Sequence, residues 1–245
     1  TPFCYAVATI TIAIERRPNP VINTPNGVTT ICVDFDTDIV VRNLTLDAGM
    51  PNPTAYSYEW FEAGAPASVI GTGPTYLVDT PSVGGATRSY TVHVTSNSPL
   101  LGCDTTSAPF DVLQSGQAVI AAGTIGYTVT NAFSSPQTIT VTVEGYGTYE
   151  YSLDEGPRQT SNIFENVSFE PHVIHVWDSE GGVAYSCDEL IIEIVQTIDY
   201  PHYFTPNGDG IHDTWNIVGL DGQPNTKIYI FDQCVKLLKQ IEKCS

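Results

Sequence analysis

Apolar and polar residues alternate in short runs along most of this chain, and Pro, Gly and Asn separate the runs. From 21 to 114 the alternating runs are 29–35, 39–46, 56–61, 75–78, 89–95 and 109–113; from 115 to 197 they are 124–130, 137–144, 148–153, 171–178 and 188–195. Alternation of period two puts every second side chain on one face of a strand. Several short strands at this spacing predict two tandem β-sandwich modules, 21–114 and 115–197. Residues 1–18 alternate for longer, with Ala6, Ala8, Ile10, Ile12 and Ile14 on one face and Tyr5, Val7, Thr9 and Thr11 on the other. That predicts one strand, stopped at Arg16-Arg17-Pro18-Asn19-Pro20 because proline cannot continue a ladder. Residues 1–20 therefore read as the last strand of an upstream module plus a linker, and the chain as a piece of a longer protein.

After residue 198 the pattern changes. Tyr200, Tyr203, Phe204, Ile211 and Trp215 bracket Pro206-Asn207-Gly208-Asp209-Gly210, and Asn-Gly and Asp-Gly favour tight turns with positive φ. Runs 214–218 and 227–232 predict strands around a turn at 219–222, and 235–241 suits a hairpin partner or a short helix. Residues 198–245 thus form a small, separate C-terminal domain.

Charge narrows the partners. The 27 acidic residues against nine Lys and Arg give a net charge of −18, and nucleic acid is excluded as a partner because phosphate binding needs clustered cations. No apolar run approaches the roughly 20 residues of a membrane-spanning helix. The six cysteines, 4, 32, 103, 187, 234 and 244, form no CxxC pair. A zinc site is not indicated, and an oxidising, extracytoplasmic setting fits. Position within the first module suggests a Cys32–Cys103 disulfide, with the partner of Cys4 lying upstream.

One loop has candidate chemistry. Against a twelve-residue calcium loop begun at Thr205, the side chains of Asn207, Asp209 and Asp213 and the carbonyl of Ile211 fall at ligand positions, with Gly210 at the turn. Position 1 is Thr205 and position 12 is Asn216, so the two strongest carboxylate ligands are missing. The competing reading is a turn whose Asn207 and Asp209 side chains bind local backbone amides. Ca2+ is the only candidate cofactor. His172 and His175, three apart on a strand, point to opposite faces; His93 reads as a surface residue, and His202 and His212 flank the loop. No nucleophile elbow, HExxH or phosphate-cradling loop is present, so no enzyme is expected. Trp60 and Trp177 are expected in sandwich cores, while Tyr149 and Tyr151 share a face that an exposed sugar platform would need.

Tyr200-Pro201, Phe204-Thr205-Pro206-Asn207-Gly208-Asp209-Gly210-Ile211, Asp213-Thr214-Trp215 and Lys227-Ile228-Tyr229-Ile230-Phe231-Asp232 closely resemble the gliding-motility-associated C-terminal domain, the type B sorting signal of type IX secretion. After Asp232 the family has a basic residue, an aromatic and a turn glycine; this chain reads Gln233-Cys234-Val235 and stops at Ser245, so the domain reads as incomplete. The likeness favours a strand over 235–241. Independently, the stretches 147–154, 164–167 and 175–178 resemble the repeat unit of large gliding adhesins. The first module, with Cys32, Trp60 and Cys103 in that order, resembles immunoglobulin-like or PKD-like repeats of bacterial surface proteins.

The resemblance implies an all-β chain of tandem immunoglobulin-like β-sandwich modules followed by a small, truncated β-rich C-terminal domain. It implies a secreted adhesin held at the outer-membrane surface, with the type IX translocon and an associated outer-membrane protein as partners. Tyr203, Phe204 and Trp215 are the candidate recognition residues, and surface polysaccharide is a candidate ligand. The alternative is a carbohydrate-binding accessory region of a secreted glycan-degrading enzyme.

Overall fold

A computed structural model describes residues 8–12, 14–64, 68–99, 102–130, 136–180, 187–220 and 226–242. Among these the regular elements are strands, apart from three single 3-10 turns at Pro25–Gly27, Pro53–Ala55 and Val83–Gly85. The chain divides into two compact units, residues 1–32 with 39–114, and residues 33–38 with 115–245.

The first unit carries β1 (Thr30–Val33), β2 (Val40–Arg42), β3 (Leu44–Asp47), β4 (Tyr56–Glu62), β5 (Thr75–Val78), β6 (Arg88–Ser96), β7 (Asp104–Thr106) and β8 (Phe110–Ser115). Six of them make one sheet in the order β2-β1-β8-β6-β4, with β7 beside β6, and β3 pairs with β5. The alternation is obeyed where burial is one-sided: Tyr90, Val92 and Val94 of β6 and Tyr58 and Trp60 of β4 point inward. Trp60 is fully buried, its indole N–H donates to the Gly73 carbonyl at 3.0 Å, and its ring stacks on Tyr76. The run 39–46 is two strands, split at Asn43, because β2 joins the large sheet and β3 the pair.

Residues 8–12 and 14–20 lie outside any strand, and Ile10, Ile12 and Ile14 are 81%, 77% and 88% exposed. Alternation proposes a strand, but only a hydrogen-bonded neighbour makes one. Residues 1–7 and 13 fall outside the described set. The Cys32–Cys103 disulfide is absent: Cys103 is a free thiol, and Cys32 and Cys187 are disulfide-bonded. The sheet order explains this. Cys103 accepts a backbone bond from Ser96 at the end of β6, and β7 and β8 follow one another along the same side of β6. β1, which carries Cys32, lies beside the far end of β8, where the Leu113 amide donates to the Thr29 carbonyl. The two cysteines are thus offset along the strands by several residues at about 3.3 Å each, beyond the ~7 Å Cα separation a disulfide spans. Cys4 and Cys244 lie outside the described residues, and Cys234 is an exposed free thiol.

The second unit carries β9 (Val119–Ile120), β10 (Tyr127–Thr130), β11 (Gln137–Val141), β12 (Val143–Glu144), β13 (Tyr149–Leu153), β14 (Ile163–Val167), β15 (His172–Asp178), β16 (Glu189–Val195), β17 (Lys227–Phe231) and β18 (Leu237–Glu242). Two three-stranded sheets, β10-β11-β14 and β13-β15-β16, accompany the pairs β9–β12 and β17–β18. Val129, Ile139 and Phe164 from one sheet and Ile174, Val176 and Ile192 from the other share one core. That core also contains a fully satisfied polar centre. Asp178 is 1% exposed and accepts from the Ser115 hydroxyl at 2.7 Å and from the amides of Glu180 and Cys187, each at 3.1 Å.

Candidate functional site

The loop between residues 199 and 218 is closed by a two-way backbone pair, Asp199 with Val218, at 3.2 and 2.8 Å. Inside it a second clasp forms where the Thr205 amide donates to the His212 carbonyl at 2.7 Å. Within these clasps the side-chain oxygens of Asn207, Asp209 and Asp213 turn onto the loop's own N–H groups. Asp213 Oδ1 accepts from the amides of Asn207 at 2.9 Å and Gly208 at 2.6 Å, and its Oδ2 accepts from Gly210 at 2.6 Å. Asp209 Oδ1 accepts from the Ile211 amide at 2.7 Å, and its Oδ2 from the Asn207 side-chain amide at 2.8 Å. Asn207 Oδ1 accepts from the Asp209 amide at 3.1 Å, and the Ile211 carbonyl from Thr205 Oγ1 at 3.4 Å. The sequence thus brings Asn207, Asp209, Ile211 and Asp213 together, in the pattern of the turn reading. Gly208 and Gly210, at φ +79° and +87°, supply the left-handed turns that aim these amides inward.

These bonds shift both carboxylates. The Gly208 and Gly210 amides hold the Asp213 carboxyl below the ordinary value of 3.8, and the Ile211 amide with the Asn207 side chain does the same for Asp209. A depressed carboxyl contributes order that is complete above the ordinary value and is lost as pH falls through the lowered one. Protection of the Gly208 and Gly210 amides, measured against intrinsic exchange at each pH, should therefore hold from neutral pH down to 3.8 and fall only below it. Asp213→Ala should remove that protection at neutral pH and match the native protein once the native carboxyl is protonated; unchanged protection at neutral pH in that variant would refute the carboxylate's role.

The three recognition candidates are not equivalent. Tyr203 and Phe204 are 65% and 51% exposed, beside Ile211 at 64%. Trp215 is only half-exposed: its indole N–H donates to the Pro201 carbonyl at 2.7 Å and its ring meets Tyr200 edge-on. Trp215 braces the loop, while Tyr203 and Phe204 face outward. His212 packs on Tyr203 and His202 on Tyr200, so the two histidines serve different aromatic contacts.

The hairpin that follows shows what replaces the absent turn glycine. Asp232 caps the turn, its Oδ1 accepting from the amides of Cys234 at 2.8 Å and Lys236 at 2.9 Å, and Val235 sits at φ +61°. A β-branched residue there is strained by about 1–3 kcal/mol. Val235 is 79% exposed, so no packing offsets that strain. Val235→Gly is expected to stabilise the β17–β18 hairpin by about 1 kcal/mol, read as slower amide exchange at Ile228 and Ile230.

Elsewhere in this unit the histidines hold turns together. His172 Nδ1 lies 2.8 Å from Asp154 Oδ2, and Nε2 lies 3.0 Å from Ser168 Oγ. Burial raises the Asp154 carboxyl, but the His172 ring and the Val173 amide outweigh it and hold it low. This Ser–His–Asp chain was illegible in the sequence, since neither spacing is a motif. Its connectivity is that of a nucleophile triad. However, Nε2 also lies 3.4 Å from the Ser168 carbonyl. That corner of the ring is shared by the hydroxyl and the carbonyl of one residue, so His172 ties the turn at Asp154 to the turn at Ser168. His175 pairs with Glu189 and stacks on Trp177.

The aromatic positions also sort themselves. Trp177, expected in the core, lies half-exposed on the opposite face of β15 from Ile174 and Val176, with Arg158 3.8 Å above its ring. Tyr149 and Tyr151 pack against the core instead of forming a platform. Burial pushes the Tyr149 hydroxyl up to about 12, and it donates to the Gly116 carbonyl at 3.2 Å.

Among the described residues no helix is long and apolar enough to cross a membrane. No curated protein matches the chain. Residues 198–239, the clasped loop together with most of the hairpin, match the CHU_C Type IX secretion signal domain, and that signal marks the chain as a secreted protein, sorted across the outer membrane by the type IX machinery.

Proposed function

We propose that this chain is the C-terminal part of a cell-surface adhesin that works by recognition, not catalysis. The two β-rich units form a stalk, and residues 198–242 present the signal to the type IX translocon and an associated outer-membrane protein of the gliding machinery. The observation that carries this reading is the exposure of Tyr203, Phe204 and Ile211 on a loop fixed by its own carboxylate–amide bonds. An apolar patch on a rigid scaffold is what a docking partner can desolvate at low entropic cost. The loop's order needs no Ca2+ in this reading. A sugar-binding role draws less support, because Trp60 is buried, Tyr149 and Tyr151 face the core, and Arg158 covers Trp177.

The test places a fluorescent reporter with a periplasmic export leader ahead of the chain in a bacterium that has type IX secretion. Surface display or release is expected for the native chain, with a drop of about tenfold or more for the Tyr203→Ala, Phe204→Ala double variant. A reporter that stays periplasmic with the native signal, or a double variant exported at the native level, would sink the proposal.

A further inference from the structure

The segment that matches the secretion signal does not begin as a free tether. Gln137 opens β11, is fully buried, and turns both ends of its side-chain amide onto the backbone of Ile198, sixty-one residues away. Its Nε2 donates to the Ile198 carbonyl at 2.5 Å, and the Ile198 amide donates to its Oε1 at 3.0 Å. A primary amide carries one acceptor and two donors, so it substitutes for the missing neighbour of a strand. The surroundings finish the joint. Ile198 is 2% exposed and belongs to the core that contains Ile139 and Ile174. Thr197 is fully buried, its hydroxyl donating to the Ser168 carbonyl at 2.9 Å, and the Gln196 amide donates to the Tyr127 hydroxyl at 3.2 Å.

The far end of the loop returns to the same place. Val218 pairs with Asp199, Ile217 and Leu220 pack on that core, and Gly219 lies against Thr197 at φ +84°. A Cβ on Gly219 would sit 2.4 Å from the Thr197 carbonyl oxygen, so only glycine passes there. Both ends of the loop that displays Tyr203 and Phe204 are therefore seated on residues 115–197.

We propose that Gln137 is a positioning residue for the export signal: the folded module clamps the base of the signal loop, so that the loop is presented correctly only from an intact module. This rests on the reading of residues 198–242 as the signal. The working unit then includes β11 and its core and is larger than the segment the family defines. Removing the amide leaves a buried N–H and a buried C=O on Ile198 without partners, which favours local opening at the junction over loss of the whole unit.

The experiment uses the full chain and two variants. Gln137→Met keeps volume and removes both bonds. Ile139→Val, on the same strand and fully buried, trims the core and keeps both Gln137 bonds to Ile198. Expected for Gln137→Met is amide exchange at Ile198 and Val218 faster by about tenfold or more, unchanged exchange in β13 and β15, and surface display of the reporter reduced with it. Ile139→Val is expected to move all core amides together and to leave display at the native level. Native exchange at Ile198 in Gln137→Met would overturn the proposal. So would accelerated exchange with display unchanged. A native chain that stays in the periplasm would remove the function reading alone, and exchange at Ile198 would still decide whether Gln137 holds the loop.

Discussion

Asp178→Ala is expected to destabilise the second unit by about 3–5 kcal/mol. The carboxylate is 1% exposed, and its three donors are the Ser115 hydroxyl and the amides of Glu180 and Cys187. Alanine leaves all three without acceptors, and the freed space is small. Gly147 is packed so close that a Cβ on it would lie 2.6 Å from Asp178 Oδ1 and 2.5 Å from Ser115 Oγ, so the backbone cannot close over the gap without shifting. Asp178→Asn keeps one acceptor oxygen and should lose about half as much. Urea denaturation of the oxidised protein, followed by circular dichroism, reads both variants. A loss below about 1 kcal/mol for Asp178→Ala would mean that water reaches these donors.

Trp60→Ala should cost the first unit about 3–5 kcal/mol. The side chain is fully buried, stacks on Tyr76, and bonds the Gly73 carbonyl. Its backbone also exchanges bonds with Gly71 and Ile70, each at 2.9 Å. The indole therefore fills the core and anchors the strand-like return at residues 70–73. Trp60→Phe retains most of the packing and loses the indole bond, and should fall about 1–2 kcal/mol short of the native unit. Equal losses for Ala and Phe would assign the effect to the hydrogen bond alone.

Much of the strand layout was legible because burial on one face writes itself as period two. Runs 56–61, 75–78, 89–95 and 148–153 became β4, β5, β6 and β13 with boundaries shifted by one or two residues at most. The same rule failed at Ile10, Ile12 and Ile14, where alternation exists without a neighbouring strand. It also failed for Trp177, since which face of β15 is the inner one depends on what lies across from it. β7 and β9 were missed because they are two or three residues long and mostly polar or half-exposed. The loop chemistry of Asn207 and Asp209 was readable because each bond spans only two residues, whereas Asp213, expected only as a cation ligand, closes the loop from three to six residues away. Gln137 was not, because a buried glutamine announces nothing until its partner across the fold is known. The disulfide expectation failed for a related reason: order along the chain does not give order across the sheet.

In the proposed reading, where the chain is held at the surface through its signal segment, the Gln137–Ile198 joint would also set how the protein bears tension. The pull would then enter at Ile198, and β16 ends only three residues earlier, at Val195. Without the clamp, that pull would peel β16 from β15 one bond at a time, the weakest way to load a ladder. With Gln137 gripping Ile198 from β11, part of the pull passes into the opposite sheet before it reaches β16. Rupture then requires the amide grip, the buried Ile198 side chain and the Asp199–Val218 clasp to yield together, which raises the force the C-terminal attachment withstands.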